Sequence, residues 1–189
     1  MAYPPAEDFR DDFTETSLNT GKWTAGGATG GVAVVSDQLV LTPDTSGNAA
    51  FVTSGDYDLT SSHFDVQIAG LSSNVTTAWV QILNSSLGAA AGFAVTESGK
   101  TARTFTNIPG TGLVYGDYAL TGSQVGWLRI RELEGTLYWE WSADGSSWAV
   151  VDSAANPFDL TAAQFQLMAL SSSGVTWSAT FDNCNILDG

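Results

Sequence analysis

Between Trp127 and Trp148 the chain reads Trp-Leu-Arg-Ile-Arg-Glu-Leu-Glu-Gly-Thr-Leu-Tyr-Trp-Glu-Trp-Ser-Ala-Asp-Gly-Ser-Ser-Trp, which predicts three short strands joined by two tight turns. Trp127, Arg129 and Arg131 alternate with Leu128 and Ile130, and Leu137, Trp139 and Trp141 alternate with Tyr138 and Glu140. A repeat of two belongs to a sheet whose faces see different surroundings. Glu134-Gly135 and Asp144-Gly145 bring residues that tolerate positive φ, so each can close a hairpin. Such a meander restricts the chain to antiparallel β architectures.

The rest of the sequence agrees. Strands are predicted at Val32–Val35 and Gln38–Thr42, a hairpin pair, and at Ala49–Thr53, His63–Ala69, Thr77–Leu83, Ala90–Thr96, Thr101–Asn107, Phe165–Leu170 and Val175–Ile186. No long stretch keeps a 3.6-residue apolar period, and only Leu160–Phe165 offers a short helical turn, with Thr161 as its cap. With 189 residues and no linker, the expectation is one all-β domain over 7–189, a two-sheet antiparallel jelly-roll sandwich, preceded by an arm at 1–6 whose Pro4-Pro5 resists strand pairing. Leu39, Leu41, Phe64, Val66, Ile68, Leu128 and Ile130 alternate with polar neighbours and are its predicted core.

Charge removes one class of partner. Twenty acidic residues stand against six basic ones, a formal net charge of −14, and the six cations are scattered. Nucleic acid needs a basic footprint, so it is excluded as a ligand. Cys184 is the single cysteine, so no intramolecular disulfide exists, and its acidic and amide neighbours mark it as a small buried hydrophobe. No segment has the roughly 18 apolar residues of a membrane helix, and the first residues lack a secretory pattern. No membrane partner is expected. Asn74-Val-Thr76 and Asn84-Ser-Ser86 match the glycosylation triplet only as short patterns.

Four groups of residues carry candidate chemistry. Glu132 and Glu134, two apart, suggest paired carboxylates of the kind glycosidases hold roughly 5 to 10 Å apart. His63, the single histidine, lacks partners for a triad or a zinc site. Asp11, Asp12, Asp182 and Asn183 lie near the two ends of the chain; if those ends pair, their oxygens form a candidate structural Ca2+ site. Trp139, Trp141 and Trp148 form a candidate carbohydrate platform, because flat rings stack on the apolar face of a sugar.

Asp11-Asp-Phe13, Leu18-Asn-Thr-Gly-Lys-Trp23, Gln38-Leu-Val-Leu-Thr42, Trp127-Leu-Arg-Ile-Arg131, Tyr138 to Trp148 and Phe181-Asp-Asn183 resemble the concanavalin A-like, or laminin G-like, jelly rolls. More narrowly, they resemble the versions found in virions of tailed phages of actinobacteria, as minor tail or head-decoration proteins. Glucanases of this sandwich carry a Glu-x-Asp-x-Glu or Glu-x-Asp-x-x-Glu strand, and the Glu132–Glu134 segment lacks the middle acid. Ser142-Ala-Asp-Gly-Ser-Ser-Trp148 is similar to a sialidase Asp box that is one residue short. The resemblance implies a non-enzymatic virion accessory, in capsid or tail, that assembles in the host cytoplasm. Its expected partners are other virion proteins, a host cell-surface glycan and further copies of itself, with a trimer as the guess. The alternatives are a free-standing carbohydrate-binding module and a glycoside hydrolase using Glu132 and Glu134.

Overall fold

The computed structural model describes residues 2–27, 31–46, 49–71, 77–96, 101–116, 126–170 and 178–186. A single 3-10 turn, Ala6–Asp8, precedes the strands. In chain order these are β1 (Trp23–Gly27), β2 (Val32–Val35), β3 (Gln38–Leu41), β4 (Ala50–Tyr57), β5 (His63–Leu71), β6 (Thr77–Asn84) and β7 (Ala89–Thr96). There follow β8 (Thr101–Ile108), β9 (Gly112–Gly116), β10 (Trp127–Leu133), β11 (Thr136–Ser142), β12 (Ala149–Ala155), β13 (Ala163–Leu170) and β14 (Ala179–Asp182). They form two antiparallel seven-stranded sheets, ordered β1-β4-β13-β6-β7-β8-β9 and β12-β11-β10-β5-β14-β3-β2. The expected two-sheet sandwich is therefore what the chain forms.

Alternation decides what lies between the sheets. Leu39, Leu41, Phe64, Val66, Ile68, Leu128 and Ile130 are all buried, as their period predicts. Phe64 of the second sheet stacks on Phe165 of the first, with centroids 4.2 Å apart and planes 4° from parallel. Phe9 meets Trp23 edge-on at 4.8 Å. Each such ring removed from water contributes on the order of 1.5–3 kcal/mol, so this aromatic column is a main tie between the layers. A second tie is polar: the indole N–H of Trp139 on β11 crosses the core to donate to the Gly92 carbonyl of β7 at 2.9 Å.

Four local expectations change. The first hairpin turn forms as read, with Glu134 at φ 52° and Gly135 at φ 80°, but the second connection is wider than two residues and spans 143–148. There Asp144 accepts from the N–H groups of Ser146 and Ser147 and from the Ser142 hydroxyl, while Gly145 lies under the Trp127 ring. Leu160–Phe165 is no helix; it leads into β13, with Asp159 accepting from Thr161. Residues 4–6 are not a free arm. Proline lacks an N–H but keeps its carbonyl, and Pro4 accepts from Asp58 while Ala6, fully buried, donates back to Asp58. The ends of the chain do meet, but through one antiparallel bridge, Asp11 to Cys184, and the Asn185 amide donating to the Ala6 carbonyl at 2.9 Å rather than as paired strands, because positive φ at Phe13, Asn183 and Asn185 bends both segments out of a ladder.

Candidate functional site

The two sheets present very different outer faces. In the first, Ala78, Val80 and Ile82 of β6 point inward and are fully buried, which turns Trp79, Gln81 and Leu83 outward. By the same alternation β13 contributes Gln166 and Met168, β8 contributes Arg103, Phe105 and Asn107, and β9 contributes Leu113 and Tyr115. Between them β7 offers only Ala90, Gly92 and Ala94, so a trough runs beside the indole of Trp79. A side chain at Gly92 would collide with the Val80 carbonyl, so only glycine fits there. Trp79 packs edge-on against Phe105 at 4.6 Å.

Two depressions share Trp79 as a wall. One, of about 360 Å³, is bordered by Gln81, Leu83, Phe105, Asn107, Leu113 and Met168. The other, of about 290 Å³, is bordered by Thr77, Thr96, Thr101, Arg103 and Tyr115. An amide ladder crosses the face from β6 to β4: Gln81 donates to Gln166, and Gln166 donates to the Thr53 hydroxyl at 2.9 Å. The seven strands of this sheet contain one acid, Asp56, set opposite Gln164, and one base, Arg103, whose guanidinium lies 5.7 Å from the Tyr115 ring centre. Rings, amides and hydroxyls with little charge are the chemistry that holds a neutral polyhydroxylated chain.

The second sheet's outer face is charged and largely paired within itself, although Oδ1 of Asp65 is buried without a hydrogen-bond partner. Arg129 grips Asp65 at 2.9 Å, and Arg131 grips Glu140 at 2.7 Å. Trp148 covers Arg129 at 3.7 Å and Tyr138 covers Arg131 at 4.6 Å, so each cation has a carboxylate and a ring. His63 sits 3.7 Å from Asp65 and 3.8 Å from Glu7. Burial pushes its pKa down, against the pull of Asp65.

The sequence-derived candidates fall as follows. Trp139 and Trp141 do share a face, but it is the inner one: Trp139 is 2% exposed, and Trp141 is partly buried against the core. Trp148 lies on the outer face as the lid of Arg129, so the three rings make no common platform. Glu132 and Glu134 do not form a pair. Glu132 is buried on the inner side of β10, and Glu134 is in the turn beyond it. Burial raises the Glu132 pKa, but N–H groups of Ser61 at 2.5 Å and Gly135 at 2.6 Å, with the Asn156 amide, outweigh it and hold the carboxyl below its ordinary value. It anchors the hairpin.

For the cation site, the Asp11 oxygens accept from the Trp23 indole at 2.7 Å and the Phe13 N–H at 3.0 Å, with Lys22 at 3.6 Å. Asp12 is turned to Thr14, Asp182 accepts from Gln38 at 3.3 Å, and Asn183 donates to Gln67. Among the described residues no group of three or more His, Cys, Asp or Glu side chains could hold a metal ion. Cys184 is buried, and that burial raises its thiol well above the ordinary value. Asn84 is also buried and donates to the Asp159 carbonyl, while Asn74 lies outside the described residues. Among the described residues, no helix is long and apolar enough to cross a membrane.

No protein-family model and no curated protein sequence matches the chain. Solved structures do. A Crh5 transglycosylase in complex with NAG is 13% identical, the match covering 97% of this chain and 85% of that one, at a TM-score of 0.74. A Bacillus licheniformis β-glucanase is 11% identical, with 93% and 95% covered, at 0.70. A glycoside hydrolase family 16 endo-glucanase from Bacteroides ovatus, in complex with G4G3G-2F-DNP, is also 11% identical, with 93% and 98% covered, at 0.69. At such identities the likeness shows the fold, a concanavalin A-like jelly roll. It also corrects the functional expectation. The solved structures named above are two glucanases and a transglycosylase, and nothing supports a phage virion, so the non-enzymatic capsid or tail accessory is withdrawn.

Proposed function

We propose that this chain is a carbohydrate-active protein of the glycoside hydrolase or transglycosylase kind, and that an extended polysaccharide lies across the outer face of the first sheet. The observation that carries this reading is the pair of depressions meeting at Trp79, lined by rings, amides and hydroxyls. From β13 to β9 the face runs four strand spacings, about 19 Å, enough for a polymer rather than a single sugar. Trp79 is the central stacking surface, and Gln81 and Gln166 meet sugar hydroxyls. Glu132 is committed to the hairpin, so acid or base work at this face would start from Asp56, the acid its strands place there.

The test is a panel of soluble polysaccharides assayed for retention in affinity gels and for new reducing ends or altered chain lengths. Wild type is expected to be retarded by at least one polymer and to change its length distribution. Trp79→Ala should weaken retention by about tenfold or more, the loss of one stacked ring. Glu132→Gln should leave turnover unchanged. A panel with neither retention nor product would overturn the reading.

A further inference from the structure

We propose that β9 is a self-pairing edge: two copies join β9 to β9 antiparallel about a two-fold axis at Val114, and each lends a residue to the other's groove. Four strands end the two sheets, β1, β9, β12 and β2; two of them carry a device that discourages pairing, and a third has little apolar surface to bury. In β12 it is the charge of Asp152 and a register shift opposite Trp139 and Glu140. β1, as short and glycine-rich as β9, exposes only Thr24, Ala25 and Gly27 and so offers a partner no large apolar side chain. β2 has four residues and turns at once into Ser36 and Asp37. In contrast, β9 is an unbroken ladder on β8, without charge, proline or bulge, and exposes Leu113 (45%), Val114 (50%) and Tyr115 (41%). An apolar edge that no described strand covers is a template for another strand.

The sequence of β9 says which strand. Gly112-Leu-Val-Tyr-Gly116 is nearly symmetric about Val114, so an antiparallel copy sets glycine against glycine, Val114 against Val114, and Leu113 against Tyr115 twice over. Aliphatic–aromatic pairs across a ladder are among the favourable ones. Val114 also borders a slot of about 200 Å³ between the sheets, lined by Trp139, Asp152 and Ala154, so Val114 of the second copy arrives at its mouth. Each copy carries −14, and β9 is an uncharged stretch along which two copies can approach. Pairing would fuse the first sheets into one fourteen-stranded surface. Leu113 borders the larger depression, so Tyr115 of the second copy would extend that wall; this part rests on the glycan reading, and the pairing does not.

Val114→Cys tests the geometry, because Cys184 is buried and the new thiol is the accessible one. With a short bis-maleimide, V114C should cross-link about tenfold faster than V35C, placed on the exposed edge of β2, since pairing raises the local thiol concentration. Light scattering on wild type should give twice 19.8 kDa at high protein concentration, more completely as salt screens the net charge. Val114→Lys should restore the monomer, and its melting curve should match wild type at dilutions where wild type is itself monomeric. Equal cross-linking of V114C and V35C, a wild type that stays monomeric, or a dimer indifferent to V114K would each overturn the proposal. Absence of glycan retention by a V114C-linked dimer would count against the groove alone.

Discussion

In the first sheet, Asp56 and Arg103 are the charged residues of seven strands; the second carries His63, Asp65, Arg129, Arg131, Glu132, Glu140, Asp152 and Asp182. On the second sheet's outer face Arg129 and Arg131 spend their bonding capacity on neighbouring carboxylates and rings. What remains is a surface whose cations are already committed, with one buried oxygen of Asp65 unpartnered and a depression of about 470 Å³ beside His63, Glu7 and Arg10 that is walled by charge rather than by rings. The first sheet leaves rings and amides beside empty volume, where a ligand can replace water. The difference teaches that density of chemically versatile side chains is a poor guide to a site. Unspent bonding capacity next to space is a better one.

The largest effect should come from breaking the charged face. Asp65 is fully buried and the Arg129 side chain is 13% exposed, so Asp65→Asn should cost about 3 kcal/mol in denaturant unfolding by leaving a largely covered cation without its carboxylate. A loss under about 0.5 kcal/mol would mean that the pair is solvated and the contrast between faces overstated.

Glu132→Gln should cost about 1–2 kcal/mol at neutral pH. The sign is fixed by its lowered carboxyl pKa: the stabilisation is full above the ordinary glutamate value of 4.5 and is lost as pH falls through the folded value. Wild type and variant melting temperatures should therefore converge in acid. Parallel curves at every pH would break the hairpin assignment. His63 adds in the same direction: with its folded pKa depressed, stability falls as pH drops below the ordinary histidine value of 6.5, and His63→Gln should flatten that part of the profile.

Trp148→Ala, which uncovers Arg129, should cost about 0.5–1 kcal/mol without altering glycan retention. The smallest stability effect belongs to the first face. Arg103 is exposed and unpaired with any acid in its sheet, so Arg103→Ala should change stability by no more than about 0.5 kcal/mol. Any larger effect on glycan retention would sharpen the contrast, separating a face that stabilises from a face that binds.

The sandwich was legible because alternation reports which residues share a face. It was misapplied at Trp139 and Trp141: Arg129, Arg131 and Glu140 occupy the opposite side of their strands, which makes the tryptophan face the inner one. The same count places Glu132 inward with Leu128 and Ile130, and the turn that needs positive φ removes Glu134 from the strand. The edge strands β1 and β9 escaped notice, being five residues each and rich in glycine. The groove lay beyond reach for a different reason. Trp79, Phe105, Tyr115 and Met168 come from four strands, and only the pairing register brings them together. One signal was local: Thr77, Trp79, Gln81 and Leu83 alternate with buried Ala78, Val80 and Ile82.

The indole proton of Trp139 sets a clock on the whole assembly. It is held by the carbonyl of Gly92 from the opposite layer, and it is out of reach of solvent while the layers touch. Deuterium can replace it only when the sandwich comes apart, so its exchange time measures the lifetime of the closed protein rather than of any one strand. An NMR signal from this one proton would report, residue numbers aside, how often the two halves let go of each other.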